Sequence, residues 1–155
     1  MQITYNQLIA KSLLLATKIP KGKYQFVFPI PNGGIVPGIT VGRYLEVEIL
    51  SWSEYQKLCK SHLDILIVDD IVDSWKTVDL YNLGQHDVAV VFKKNYAKAP
   101  AYWLEETYEW TVFPHESLKK GIDGHLINVL EFIGLPIENV NVEQMLQRIK
   151  KCLTT

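Results

Sequence analysis

Apolar and polar positions along this chain follow two periods, and the switches between them mark out its elements. Thr4-Tyr5-Asn6-Gln7 fits a capping box, and Leu8, Ile9, Leu13, Leu15 and Ala16 then recur at helical spacing until Pro20 and Gly22 stop the run. Residues 24–28 form a short apolar and aromatic strand that leads into Pro29-Ile30-Pro31-Asn32-Gly33-Gly34. A helix over Ile35–Leu45 and a strand over 47–50 follow, and then a polar, irregular stretch over 51–62. Ile65-Leu66-Ile67-Val68 is a continuous apolar run, the pattern of a strand buried on both faces. A helix over 77–83, a fourth strand over 88–92 and further strands over 101–104 and 110–113 complete the first part of the chain. From Asp123 the pattern is helical through Leu126, Ile127, Leu130 and Ile133, breaks at Gly134 and Pro136, and resumes over 142–153.

Strands that alternate with helices predict an α/β fold, a mainly parallel twisted sheet flanked by helices. Residues 1–120 read as that α/β domain and residues 121–155 as a C-terminal helical extension packed on it. The 155 residues are 48% hydrophobic and 21% charged, ordinary for one domain with a real core. A formal net charge of −1 gives no global field for nucleic acid or an anionic membrane, and neither is expected as a partner. No apolar stretch has the length of a membrane span. The two cysteines, Cys59 and Cys152, fit neither a metal spacing nor a disulfide framework, so a reduced, cytoplasmic setting is expected.

The candidate chemistry begins where the buried strand ends. Asp69 and Asp70 follow Val68 directly, and Asp73, Ser74 and Thr77 come after them in a turn that leads into a helix. Carboxylates at the carboxyl end of a strand sit in the usual ligand crevice of an open α/β sheet. The turn beyond them can present backbone N–H groups to an anion. Acids for hydroxyls or a metal, with amides for a phosphate, suit a sugar phosphate. Paired glycines in Asn32-Gly33-Gly34 allow positive φ and close backbone approach, so this loop could surround a diphosphate oxygen. The fourth strand ends in two cations, Lys93 and Lys94.

The stretch from Ile65 to Thr77 resembles the phosphoribosyl-diphosphate (PRPP) signature of the type I phosphoribosyltransferases, matching at Asp69, Asp70, Asp73, Ser74 and Thr77. Pro31-Asn32-Gly33-Gly34-Ile35-Val36-Pro37 is similar to the diphosphate loop of the xanthine-guanine type. Trp110, Pro114 and Glu116 match that type's base-binding segment. The resemblance spans residues 27 to 116 and departs from the family at three side chains. Trp75 stands where the family has glycine, Asn32 where it has arginine, and His115 where it has a second tryptophan. The segment 51–63 is also shorter than the family's mobile lid loop.

The resemblance implies transfer of phosphoribosyl from PRPP to a 6-oxopurine base with release of diphosphate, in the presence of Mg²⁺. It assigns the ribose hydroxyls and metal to Asp69 and Asp70, and the proton-accepting role to Asp73. The 5′-phosphate falls to the loop Asp73, Ser74, Trp75, Lys76 and Thr77, and the diphosphate to Asn32, Gly33 and Gly34. Base binding falls to Lys94, with Lys93 as the alternative, together with Trp110 and Thr111. A homo-oligomer, dimer or tetramer, is implied as well. Trp75, Asn32 and the short lid leave two alternatives: a catalytically weak or inactive PRPP- or nucleotide-binding regulator, or a nucleotide N-glycosidase on the same fold.

Overall fold

The computed structural model describes residues 1–61, 64–80 and 83–116, together with Gln144 and Gln147, which are helical. By compactness the chain divides into a unit of residues 7–110 and a unit of residues 1–6 with 111–155. Apart from those two glutamines, the expected C-terminal helices lie outside the described residues.

The larger unit is built on five parallel strands in the order β2-β1-β3-β4-β5. These are β1 (Phe26–Pro29), β2 (Glu48–Ile49), β3 (Ile65–Val72), β4 (Asp87–Lys94) and β5 (Tyr102–Thr107). The central pair, β3 and β4, is apolar on both faces: Ile65, Leu66, Ile67, Val68, Ala89, Val90, Val91 and Phe92 are all fully buried. That is the pattern of a parallel strand covered by helices on both sides. The helices are α1 (Tyr5–Thr17), α2 (Ile35–Leu45), α3 (Trp52–Leu58) and α4 (Lys76–Leu80).

Helix α2 lies close on the β1–β2 edge because two of its residues lack side chains. A Cβ on Gly38 would come within 2.6 Å of the Pro29 ring, and one on Gly42 within 2.7 Å of Ile49. This packing fixes the start of α2 beside the tip of β1. Helix α3 occupies a stretch expected to be irregular. Ser51 and Glu54 close a reciprocal capping box, Glu54 N–H donating to Ser51 Oγ (3.3 Å) and Ser51 N–H to Glu54 Oε2 (2.7 Å). Tyr55 then anchors the helix by stacking on Phe28, with ring centroids 4.5 Å apart.

Residues 110–113 do not form the expected strand. Val112 makes one isolated parallel bridge to Gln2, with Ile3 N–H on Val112 O (3.0 Å) and Val112 N–H on Met1 O (2.9 Å). Pro114–Glu116 then turns as a 3-10 helix, and the His115 ring stacks on Phe113 at 5.7 Å. Among the described residues no helix is long and apolar enough to cross a membrane.

Candidate functional site

The site begins with a mismatch in strand length. Strand β1 pairs with β3 only as far as Pro29 opposite Val68, whereas β3 continues to Val72, paired with β4 through Val72 opposite Lys93. Asp69 and Asp70 therefore lie on the strand itself, past the end of β1, and not in the turn after it. The space that β1 vacates is taken by the loop 30–34. Ile30 N–H donates to Val68 O (2.9 Å), and Gly34 N–H turns back to Ile30 O (3.0 Å).

That loop meets the acidic pair at a single point. A Cβ on Gly33 would stand 2.6 Å from Asp70 Oδ1 and 2.7 Å from Oδ2, inside any allowed contact. On Gly34 it would stand 2.2 Å from Val68 O. Both glycines are thus required by close approach. Asn32, exposed, takes φ of 69°, a left-handed conformation that asparagine tolerates better than most residues. The glycine loop therefore meets the Asp70 carboxylate beyond the end of β1.

The Asp69 and Asp70 carboxyls lie close enough to interact directly. Each carboxylate accepts the next backbone amide: Asp70 N–H on Asp69 Oδ1 (2.9 Å) and Ile71 N–H on Asp70 Oδ1 (2.7 Å). Asp70 is 5% exposed. Desolvation, and after it the charge of Asp70, pushes the Asp69 carboxyl well above the usual carboxylate range. A pair that resists double ionisation is suited to a bound cation, which favours the ionised form. Mg²⁺ commonly takes one or two carboxylates and fills its shell with substrate oxygens and water. Asp69 and Asp70 fit that pattern. Among the described residues no group of three or more His, Cys, Asp or Glu side chains could hold a metal ion without such help.

The turn after β3 carries Asp73, Ser74 and Trp75, and α4 opens with Lys76 and Thr77; all five are exposed except the half-buried Trp75. Trp75 has φ of 61°, the conformation that a glycine would take without strain. For a bulky residue it costs about 1–2 kcal/mol. Two contacts of the indole offset this. Nε1–H donates to Lys98 O (2.9 Å), and the ring packs against the core cluster that includes Phe28, Ile30, Val72 and Val78. Asp73 accepts a hydrogen bond from Tyr96 Oη, and that bond raises the Tyr96 phenol above its ordinary range. Nothing local in the sequence marks Tyr96 or Lys98 as partners of this loop, more than twenty residues away.

Lys93 and Lys94 are both buried yet face different partners. Lys93 Nζ pairs with Glu106 Oε2 on β5 at 2.8 Å and also donates to Lys94 O (3.2 Å). Lys94 Nζ donates to the backbone carbonyl of Glu109, one residue before Trp110. Lys94 is therefore joined to the segment that bears the expected base-stacking residue. The Trp110 side chain is 74% exposed. Thr111 is buried within the smaller unit.

No family profile matches the chain. A search by sequence finds similarity to a xanthine-guanine phosphoribosyltransferase of Nitratidesulfovibrio vulgaris (strain DP4). The two are 27% identical over 140 residues, covering 74% of this chain and 83% of that one. Among solved structures, a purine phosphoribosyltransferase of Pyrococcus horikoshii superposes with a TM-score of 0.60 at 19% identity, covering 78% of this chain and 97% of that one. The chain has the type I phosphoribosyltransferase fold. A xanthine-guanine-hypoxanthine phosphoribosyltransferase of Helicobacter pylori shares that fold with a TM-score of 0.60 at 17% identity, over 83% of this chain and 97% of that one. A Neisseria gonorrhoeae protein with bound ppGpp does so with a TM-score of 0.58 at 22% identity, over 82% and 94%. The type I fold accounts for the position of the acid pair, since ligands of open α/β sheets bind at the carboxyl ends of the strands.

Proposed function

We propose that this chain is a purine phosphoribosyltransferase that transfers phosphoribosyl from PRPP to a 6-oxopurine and releases diphosphate. The observation that carries the reading is the contact between Gly33 and Asp70, which joins a backbone loop suited to a diphosphate with a carboxylate pair suited to ribose hydroxyls. In the reaction a base nitrogen bonds to the anomeric carbon as the bond to diphosphate breaks, the electron pair leaving with the diphosphate. Mg²⁺ would supply charge neutralisation for that leaving group. Asp69 and Asp70 would hold it and would bind the ribose hydroxyls. The loop 32–34 holds the diphosphate by its backbone, and the loop 73–77 holds the 5′-phosphate. Asp73 accepts the proton that the base gives up, while Lys94 and Trp110 orient the purine. Positioning and charge stabilisation are the main sources of rate in such a transfer. The same reading takes the protein as a cytoplasmic homo-oligomer of two or four copies.

The test is incubation with PRPP, Mg²⁺ and, separately, guanine, xanthine, hypoxanthine and adenine, with nucleotide and diphosphate quantified. Product from one or more 6-oxopurines, little from adenine, and loss of product in Asp73→Asn are expected. Absence of nucleotide from every base would overturn the reading.

A second reading, a nucleotide-binding regulator without turnover, is favoured by Trp75 in the loop that the resemblance assigns to phosphate. The Neisseria gonorrhoeae neighbour that holds ppGpp gives it a ligand class, guanine nucleotides. Titration calorimetry with guanine nucleotides separates the two. Tight nucleotide binding with no transfer, together with turnover created by Trp75→Gly, is the outcome expected of the regulator.

A further inference from the structure

The acidic loop after β3 is tied at two points to a single segment, the connection between β4 and β5. At its start, Asp73 accepts a hydrogen bond from Tyr96 Oη. At its middle, the Trp75 indole donates to Lys98 O at 2.9 Å. Between the two ties, Ala97 and Trp75 pack against the same core cluster. The connection is itself held in place, since Ala97 N–H donates to Lys94 O (3.0 Å) and Asn95 N–H to Thr107 O (3.3 Å).

We infer that residues 96–98 form a clamp on the acidic loop and that Tyr96 is a positioning residue for Asp73. This rests on the transferase reading for the role of Asp73, but the clamp itself does not. Three observations support it. The Asp73 side chain is exposed, so without a tether its carboxylate would sample several rotamers in water. The phenol takes one carboxylate oxygen, Oδ1, and leaves Oδ2 to receive a proton from a ligand. Trp75 keeps a left-handed backbone that a tryptophan does not adopt without support, and its supports are the Lys98 carbonyl and the core. A glycine at position 75 would have no side chain with which to reach Lys98. The substitution thus exchanges a pliable loop for one held in a fixed orientation by its neighbour.

The clamp is tested in the full-length chain with Tyr96→Phe, which removes the hydroxyl and keeps the ring, and with Asp73→Ala. The Trp75 indole N–H is assigned by its loss in Trp75→Phe and followed by hydrogen exchange in ¹⁵N NMR at neutral pH. Its exchange should quicken by about fivefold or more in both variants, as protected local structure opens. Unchanged exchange in both variants overturns the clamp, whatever the activity. In the transfer assay Tyr96→Phe should lower kcat by about tenfold, the effect of a misplaced catalytic group, and leave KM for PRPP within about twofold. A change in KM alone, or none in kcat, overturns the positioning role. If the wild-type chain makes no nucleotide, the transferase reading and the positioning role that depends on it fall together, and the exchange experiment still decides the clamp.

Discussion

Gly33 lies directly against the Asp70 carboxylate, so that a single added methyl carbon would overlap both carboxylate oxygens. Asp70 cannot simply swing aside, because Oδ1 holds the Ile71 amide at 2.7 Å and the side chain is buried. Gly33→Ala should therefore break that hydrogen bond, lower stability by about 1–3 kcal/mol and raise KM for PRPP by about tenfold or more. Gly34→Ala drives a carbon to 2.2 Å from the Val68 carbonyl, which is backbone and cannot yield. It should cost about 3 kcal/mol or more and give little folded protein. Urea denaturation of both variants, with PRPP kinetics on Gly33→Ala, checks the pair. Equal stability of the two would mean that Asp70 and the strand backbone do not differ as obstacles.

The raised carboxyl of Asp69 makes a statement about pH. Between the ordinary aspartate range and its raised value, the folded protein binds a proton that the unfolded chain has released. Stability contributed by this group is therefore full in acid and falls as pH rises through the raised value. Asp69→Asn keeps an acceptor for the Asp70 amide and removes the charge. Without ligands it should melt at a higher temperature than wild type at pH 7, the gap closing below about pH 4, where both chains carry a neutral group. Mg²⁺ with PRPP should narrow the gap at pH 7 by favouring the ionised wild-type pair. A lower melting temperature for Asp69→Asn at neutral pH would contradict the burial of a reluctant charge.

Trp75 sets backbone strain against side-chain anchorage, and two substitutions separate them. Trp75→Gly relieves the left-handed strain but loses the indole packing and the bond to Lys98, and it loosens the unfolded chain. The net expectation is a loss of about 2 kcal/mol. Trp75→Ala loses the same contacts and keeps the strain, for a loss of about 3 kcal/mol. The order wild type, glycine, alanine in chemical denaturation is the signature. An alanine variant as stable as the glycine variant would show that position 75 carries no strain.

Much of this site is legible in local sequence, for reasons that residues 65–70 make plain. A buried parallel strand needs an unbroken apolar run, and a carboxylate pair after it stands out against that background. Gly33-Gly34 is likewise legible as a place where something must come close, although the sequence does not say that the neighbour is Asp70. The strand's true end is less visible. Asp69 and Asp70 read as strand terminators, yet the pairing of β3 with β4 runs on to Val72 because only β1 stops at Val68. Helix α3 had local signals, the Ser51–Glu54 spacing and the apolar positions Trp52, Tyr55 and Leu58, set among polar residues that read as a loop. The partners of the acidic loop left no local trace. A tyrosine hydroxyl and a lysine carbonyl become relevant only when the sheet order sets the β4–β5 connection beside β3.

The two adjacent lysines of β4 should separate cleanly in function. Lys94, buried and bonded to the carbonyl before Trp110, is the one expected to serve the base. Lys94→Met should raise KM for the purine by about tenfold and leave KM for PRPP within about twofold. The carbonyl it abandons at Glu109 adds a stability loss of about 1–3 kcal/mol. Lys93 instead neutralises Glu106, whose side chain is 40% exposed and can be hydrated once the partner is gone. Lys93→Met should then change stability by about 1 kcal/mol or less and leave both KM values near wild type. The measurement is a set of initial-rate curves with each substrate varied at saturation of the other. A rise in purine KM in Lys93→Met, with Lys94→Met unaffected, would transfer the base-reading role to Lys93 and detach it from the Trp110 segment.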